Sequence, residues 1–287
     1  MSNQITTAFV EQYSNNVQML SQQKGSLLRG AVDVESVVGN TAFFEQVGSA
    51  TAQKRTSRHS DTPQLDTPHA RRRVSLVDYE YADLIDNQDK VRSLIDPTSA
   101  YANAAAFALG RAMDDEIIAA ATGTAFTGTT GSTSTALGSG QAIAEGSTAG
   151  LTIAKLRTAK EKFDLANVDP SIARYMVVGP RQISDLLGDT SVTSSDFNTV
   201  KALVHGEVDS FMGFKFITST RLSIASSKRL CIAFASDGIK LALGQDMMTR
   251  IDERNDKGYS TQVYVCMSIG SARLEESKVV SIQAHEA

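Results

Sequence analysis

Four histidines, two cysteines and one run of acids are the side chains of this sequence that could bind a metal or catalyse a reaction. His59, His69, His205 and His285 are scattered, and none shares a helical or strand face with another potential ligand at ligand spacing. Zinc sites and Ser-His-Asp triads need several such groups to converge. The sequence therefore predicts no catalytic residue, no metal site, no cofactor and no enzyme.

The acidic run Asp114–Glu116 lies in a predicted helix. Consecutive residues of a helix point to different sides, so these three carboxylates cannot converge on one ion. Arg111 precedes Asp115 by one turn, which predicts an ordinary exposed i,i+4 ion pair.

The tract from 122 to 150 is rich in Gly, Ser and Thr and lacks the residues of known catalytic loops. It contains no Lys, which excludes a phosphate-binding P-loop. Its stretch GSTAG has Thr148 where a nucleophile elbow has Ser. The composition instead predicts a linker between subdomains or a mobile surface loop.

Composition and charge indicate a globular protein, because 41% of the 287 residues are hydrophobic. A net charge of -4 argues against a nucleic-acid binder that uses its whole surface. Cys231 and Cys266 suit a reducing cytosol better than a disulfide framework, and we expect both to be small core residues. No signal-peptide pattern or long apolar window occurs, so neither export by a standard signal nor a membrane is expected.

Residues 53–73 stand out as a polar, basic segment in which only Leu65 and Ala70 are hydrophobic. The stretch that follows, 78–96, is acidic. Too little apolar surface is present for the basic segment to fold alone, so it is either mobile or ordered from outside its own domain. The basic residues are Lys54, Arg55, Arg58, Arg71, Arg72 and Arg73, and the acidic candidates are Asp78, Glu80, Asp83, Asp86 and Asp89.

Three interpretations of the basic segment stay open. It could be a solvated loop, since charge runs usually are. It could bind nucleic acid, although no aromatic residue interleaves with the arginines to stack on bases. It could also dock on the complementary acidic surface of an identical copy. Val77, Tyr79 and Tyr81 alternate with acids in a strand pattern, so the segment is the tip of a strand-loop-strand excursion.

The longest helix is predicted over 97–122, with Asp96 as N-cap, Pro97 at the first position and Gly123 as the stop. Apolar residues from Phe9 to Leu20 also repeat at helical spacing, as a helix on its own domain or as an arm on a neighbour. Beyond Leu151 the patterns predict a helix, the strand RYMVV, the helix PRQISDLLG and several strands, among them an alternating one over 262–269.

The order of these parts, with the stretches RRRVSLVDYEYADLID, DPTSAYANAAAFALGRAMDDEIIAAATG, RYMVVGP and FMGFKFITSTRL, resembles the major capsid proteins of tailed bacteriophages. The resemblance implies an α+β protein with the HK97-like capsid fold. By that likeness, 1–48 is an N-terminal arm and 49–82 an extended β-hairpin loop. Residues 83–150 and 235–287 form a peripheral domain with a long spine helix, and 151–234 form an α/β axial domain.

The resemblance also implies a function. A structural protein of this kind self-assembles as pentamers and hexamers into the icosahedral head shell around double-stranded DNA, in the virion, after assembly in the host bacterial cytoplasm. A portal protein and non-specific contact with packaged DNA are implied, and a decoration protein stays open. Since the arm starts almost at Met1, a separate scaffolding protein is expected. The rival interpretations are an encapsulin-like nanocompartment shell and a nucleic-acid-binding module.

Overall fold

The computed structural model describes residues 21–58, 61–62, 64–86, 98–144, 149–188 and 210–286. The chain divides into two compact units. Unit 1 contains 78–111 and 246–267 together with the chain up to residue 26, and unit 2 contains 27–77, 112–245 and 268–287. The helical pattern at Phe9–Leu20 and the residues Asp89, His59 and His205 lie outside the described part.

The long predicted helix is confirmed as α1, Thr98–Thr122. At about 1.5 Å per residue it is about 38 Å long. One stripe of small and apolar residues is buried at every fourth position along it, which explains why the Ala-rich sequence is helical and packed. The stripe consists of Ala105, Leu109, Met113, Ile117 and Ala121.

Two shorter helices also match the sequence prediction. Helix α2, Ile153–Leu165, begins at the N-cap Thr152, whose side chain accepts a hydrogen bond from the Lys155 N–H, and it buries Phe163. Helix α3, Pro180–Gly188, places proline at its first position, where no intrahelical N–H is needed.

The strands form three sheets. They are β1 (Asp33–Ser36), β2 (Thr41–Val47), β3 (His69–Ser75), β4 (Val77–Ile85), β5 (Ala125–Thr127), β6 (Thr133–Thr135), β7 (Ala142–Ile143), β8 (Arg174–Val178), β9 (Ser210–Phe211), β10 (Phe214–Thr218), β11 (Ile224–Ala225), β12 (Lys228–Ala235), β13 (Ile239–Arg254), β14 (Ser260–Arg273) and β15 (Val279–His285). The sheet orders are β1-β13-β14-β4, β7-β15-β12-β8-β10-β9 with β11 beside β12, and β2-β3-β5-β6.

The seven-stranded sheet carries much of the core of unit 2. Its strand β8 pairs in parallel with β10 and antiparallel with β12, and β12 pairs antiparallel with β15. Buried on both faces, β12 reads as the near-continuous apolar run LCIAFA. The alternating strand predicted over 262–269 is confirmed within β14, where Val263, Val265 and Met267 are buried.

One sequence prediction needs correction here. The Gly/Ser/Thr tract is not a linker, because β5 and β6 form a hairpin that pairs with β3 through Arg72↔Thr127 and Arg73↔Phe126. Threonine suits strands, and Gly128 and Gly131 take positive φ in the turn, so a flexible composition encodes a defined hairpin. Residues 33–47, assigned to an arm, supply β1, which pairs with β13, and β2, which pairs with β3.

Within the described residues, no helix is both long enough and apolar enough to cross a membrane.

Candidate assembly surface

The basic segment is mounted on a β-hairpin, as predicted, but the returning strand is β3 and not the strand predicted at Val77–Tyr81. Strands β2 and β3 pair from Thr41↔Ser75 to Val47↔His69, and the Gly48 N–H donates to the Pro68 carbonyl at 2.8 Å. The returning strand already begins at His69. Three of the six basic residues therefore lie in the hairpin stem and not in the loop, and the stem and the loop have to be considered separately.

Arg72 points to the inner face of the stem. The residue is only 7% exposed. Its Nη2 atom donates to both carboxylate oxygens of Glu276 at 2.7 and 2.6 Å, and its Nε atom donates to the Leu274 carbonyl at 2.8 Å. This arginine belongs to the internal structure of unit 2, which corrects its assignment to an exposed loop.

An apolar cluster fixes the stem to the rest of unit 2. Phe44 and Val74 from the hairpin are buried against Ala242 of β13 and Ala272 of β14. Gln46 adds a hydrogen bond from its side-chain amide to the Leu274 carbonyl at 2.7 Å. Because its inner face is held by packing and by directed hydrogen bonds, the stem has a set position in unit 2.

Arg273 joins this network to the end of the long helix. Its side chain is fully buried, and Nη1 donates to the carbonyls of Ala121 at 2.9 Å and Gly123 at 2.8 Å, while Nη2 donates to the Thr135 carbonyl at 3.1 Å. Carbonyls at a helix C-terminus lack intrahelical donors, and this guanidinium supplies them. Burial lowers the pKa of Arg273, and Glu276 opposes that shift. The sequence analysis missed this residue. Arg273 lies an even number of residues after the buried Val263 on β14, so the alternation of the strand places both side chains on the same face.

The outer face of the stem carries two arginines over aromatic rings. The Arg71 guanidinium lies 5.5 Å from the centre of the Phe43 ring and pairs with Glu45 at 2.7 Å. The Arg73 guanidinium lies 4.8 Å from the centre of the Phe126 ring. The sequence argument that no aromatic residue accompanies the arginines overlooked neighbouring strands, which supply both rings. Arg71 and Arg73 thus stabilise the stem through cation–π contacts within the chain.

The loop between Gly48 and Pro68 has a different character. Its residues 49–58, 61–62 and 64–66 are all exposed. The Arg55 Nε atom donates to the Ser57 carbonyl at 3.0 Å, a contact inside the loop. Among the residues that the structure describes, neither Lys54 nor Arg58 forms an ion pair. The loop therefore presents its three cations to solvent.

The predicted acidic partners lie in unit 1, where several are hydrogen-bonded. The Tyr264 hydroxyl donates to Glu80 at 3.0 Å, the Tyr81 hydroxyl donates to Asp83 at 3.3 Å, and Ser260 donates to Asp86. Asp78 on β4 is exposed. Glu80, Asp83 and Asp86 thus have partners of their own within unit 1.

The adjacent carboxylates Asp114 and Asp115 of α1 have different partners, as expected for consecutive residues of a helix. Asp114 accepts hydrogen bonds from the N–H groups of Leu27 and Leu28, both at 3.1 Å, whereas Asp115 pairs with Arg221. The expected pair of Arg111 with Asp115 is wrong, because Arg111 donates to the Gln22 side chain at 3.1 Å and to the Gln23 carbonyl at 3.2 Å.

The described residues hold no group of three or more His, Cys, Asp or Glu side chains arranged to bind a metal ion. Cys231 is a buried core residue, as expected, and burial raises its pKa to about 12, whereas Cys266 is half-buried. The neutral thiol of Cys231 is a poor nucleophile.

Comparison with known proteins places these features in a family. The phage capsid protein family model matches residues 5–286. The chain is similar to the capsid of cyanophage P-SCSP1u, with 19% identity and a TM-score of 0.75 over 100% of this chain and 96% of that chain. It is similar to the capsid of Ralstonia phage GP4, with 11% identity and a TM-score of 0.76 over 98% and 96%.

It is also similar to the acid-stable capsid of Helicobacter pylori bacteriophage KHP30, with 12% identity and a TM-score of 0.74 over 99% of this chain and 96% of that chain. None of the curated protein sequences matches the chain. These likenesses support a virus capsid and give no support to the encapsulin interpretation. The chain belongs to the phage capsid protein family: it is a major capsid protein with an HK97-like fold, and it forms the head shell of a bacteriophage.

Proposed function

We propose that, in the pentamers and hexamers of the shell, the loop 49–67 of each copy lies on a neighbouring copy and is ordered there. The observation that carries this proposal is the contrast between stem and loop. The stem is held by Arg72, Gln46 and Phe44, while the described loop residues are almost all exposed. A segment so poor in apolar side chains cannot fold alone, and a complementary surface on an identical copy supplies what it lacks.

Charge selects the kind of surface that the loop needs. Lys54, Arg55 and Arg58 lie within five residues of one another and require carboxylates. An exposed ion pair contributes only about 0–1 kcal/mol, so one loop binds weakly. Each copy both donates a loop and receives one, and repetition around a closed shell turns weak contacts into a stable assembly.

We further infer the partners that a genome-filled shell requires. These partners are a scaffolding protein that sets the curvature of the shell and a portal protein through which double-stranded DNA enters. The net charge of -4 supports DNA contacts that are local and non-specific. Assembly then takes place in the cytoplasm of the bacterial host. The role of the chain is structural, and it catalyses no reaction.

Charge reversal of the loop tests the central proposal. The variant Lys54→Glu, Arg55→Glu, Arg58→Glu should fold but fail to form shells, as followed by circular dichroism, sedimentation velocity and electron microscopy. The charge-preserving variant Lys54→Arg, Arg55→Lys, Arg58→Lys is the matched control and should assemble. Arg72 is left unchanged because it is buried in the fold. Normal shells from the reversed variant would refute the proposal.

A further inference from the structure

A groove with a volume of about 790 Å³ lies in unit 2, where the hairpin stem of β2 and β3 meets its loop. It is lined by the ends of β2 and β3 with the adjoining loop residues, and by the turn that follows β14. Asp33, Ala166, Asn167 and Asp237 complete the lining. All of these residues belong to unit 2, so the groove is a feature of that unit alone.

The groove carries surplus negative charge. Lys278 bridges two carboxylates, those of Asp237 at 2.7 Å and Glu275 at 3.1 Å. At its edge, Lys240 bridges Asp33 at 3.2 Å and Glu35. Among the groove-lining residues, four carboxylates (Asp33, Asp237, Glu275 and Glu276) outnumber two permanent cations (Arg72 and Lys278).

These carboxylates are accessible to further donors. The side chains of Asp237, Glu275 and Asp33 are 40%, 49% and 52% exposed. A carboxylate has about four lone-pair sites, and one lysine contact leaves several of them open. The groove can therefore accept two additional cations without breaking the lysine bridges.

Two buried atoms of the groove-lining residues point to a bound chain segment. Among the described residues, neither Nη1 of Arg72 nor Oδ1 of Asp237 has a hydrogen-bond partner. The Arg72 side chain is only 8% exposed. Unpaired buried donors and acceptors are costly, and after a small shift of either side chain the carbonyl or N–H group of an entering main chain would pair with them.

We propose that this groove receives residues 54–58 of a second copy. The proposal rests on the proposed function and names the receiving surface. Lys54, Arg55 and Arg58 supply cations for the two acidic clusters, and at about 3.3 Å per residue the extended segment spans about 13 Å. The carboxylates on and just after β4 are the rival partner surface, and there Glu80, Asp83 and Asp86 each accept a hydrogen bond from a hydroxyl group. The groove differs from that surface because it is a cavity that can hold an extended segment.

The position of the groove dictates how copies are arranged. The basic segment of the loop and the acidic groove are two different surfaces of one copy, so a contact between them joins each copy to the next head to tail. Such heterologous contacts form a closed ring when the rotation from one copy to the next is a whole-number fraction of 360°. The five- and sixfold capsomers of the proposed function are rings of this kind.

A charge-swap series tests the groove separately from the loop. The groove variant Asp237→Lys, Glu275→Lys should raise the protein concentration needed for assembly by about tenfold or more, which corresponds to at least 1.4 kcal/mol per contact. Glu161→Lys, Asp252→Lys changes the charge by the same amount at exposed sites and should assemble normally. Combining the groove variant with the reversed loop in one chain restores opposite charges and should recover shells.

The outcomes separate the two proposals. If the reversed loop assembles normally, the proposed function fails and the groove proposal fails with it. If the reversed loop blocks assembly while the groove variant behaves like its control, or if the combined chain does not recover, only the groove proposal is overturned.

Cross-linking of the unmodified chain gives an answer even where a variant misfolds. Lys54 is the only lysine of the loop, so a carbodiimide applied to shells mixed from isotopically light and heavy copies should join Lys54 to Asp237 or Glu275 of a differently labelled copy. Lys54 joined instead to Asp78 or Glu80 would contradict the groove assignment.

Discussion

The Nη2 atom of Arg72 lies 2.7 and 2.6 Å from the two carboxylate oxygens of Glu276. Arg273, which holds the last carbonyls of α1, approaches the same carboxylate at 3.7 Å. One glutamate therefore serves two largely buried arginines, one from the hairpin stem and one from the end of the long helix. The position of the hairpin depends on this link.

We predict that Glu276→Gln destabilises the subunit by about 2 kcal/mol, because two buried guanidinium groups lose their shared counter-charge. Urea unfolding of dissociated subunits measures the loss. The same substitution at the adjacent residue, Glu275→Gln, removes only a half-exposed contact with Lys278 and should change the free energy of unfolding little. Equal changes in the free energy of unfolding for the two substitutions would show that the contacts of Glu276 with Arg72 and Arg273 do not stabilise the subunit more than an exposed ion pair does.

Arg273→Met should cost about 3 kcal/mol or more, since the carbonyls of Ala121, Gly123 and Thr135 lose their donor inside the protein. Hydrogen exchange should show faster opening of the last turn of α1. Arg254→Met is the control, because its ion pair with Asp256 is exposed, and it should leave stability nearly unchanged. An Arg273→Met subunit as stable as the parent would refute the capping role.

Sequence periodicity predicted the elements whose signals are local. Three elements were predicted from the spacing of residues a few positions apart. They are the alanine-rich helix α1, the buried strand β8 and the alternating strand β14. The stem strand β3 was not predicted, because its inward residue Arg72 reads as part of a polar run. Its partner Glu276 lies 204 residues away, beyond the reach of any local pattern.

The candidate surface was predicted in part for the same reason. The basic residues were found, but a run of three arginines does not reveal that the middle one faces inward while Arg71 and Arg73 cover rings from β2 and β5. The groove combines Asp33, Asp237 and Glu275, which are distant in sequence. Only the folded chain brings them together.

Gly131→Ala should destabilise the subunit more than Gly258→Ala, although both glycines have a φ of +64°. A methyl group at 131 would lie 2.7 Å from Cβ and Cδ of Arg73, whereas at 258 nothing lies within 4 Å. The left-handed backbone costs about 1–2 kcal/mol at either position, and the clash adds to it only at 131. Thermal unfolding of the two variants gives the comparison, and equal midpoints would contradict the packing of this turn on the stem.

Glu286 predicts a specific pH dependence. Its ion pair with Arg229 lowers the pKa of Glu286 from its ordinary value of 4.5, so the pair stabilises the fold above that pH. As the pH falls through the lowered pKa, the carboxylate is protonated in the folded state and this contribution is lost. The stability difference between the parent and Glu286→Gln should be present at pH 7 and vanish in acid. A difference independent of pH would disprove this coupling.

The most direct test of the account is amide hydrogen exchange of residues 49–67, measured on dissociated subunits and on assembled shells of the unmodified chain. We predict rapid exchange of these amides in the free subunit and strong protection in the shell, with β2 and β3 protected in both. Strong protection of the loop in the free subunit, or none in the shell, would contradict the claim that a neighbouring copy orders it.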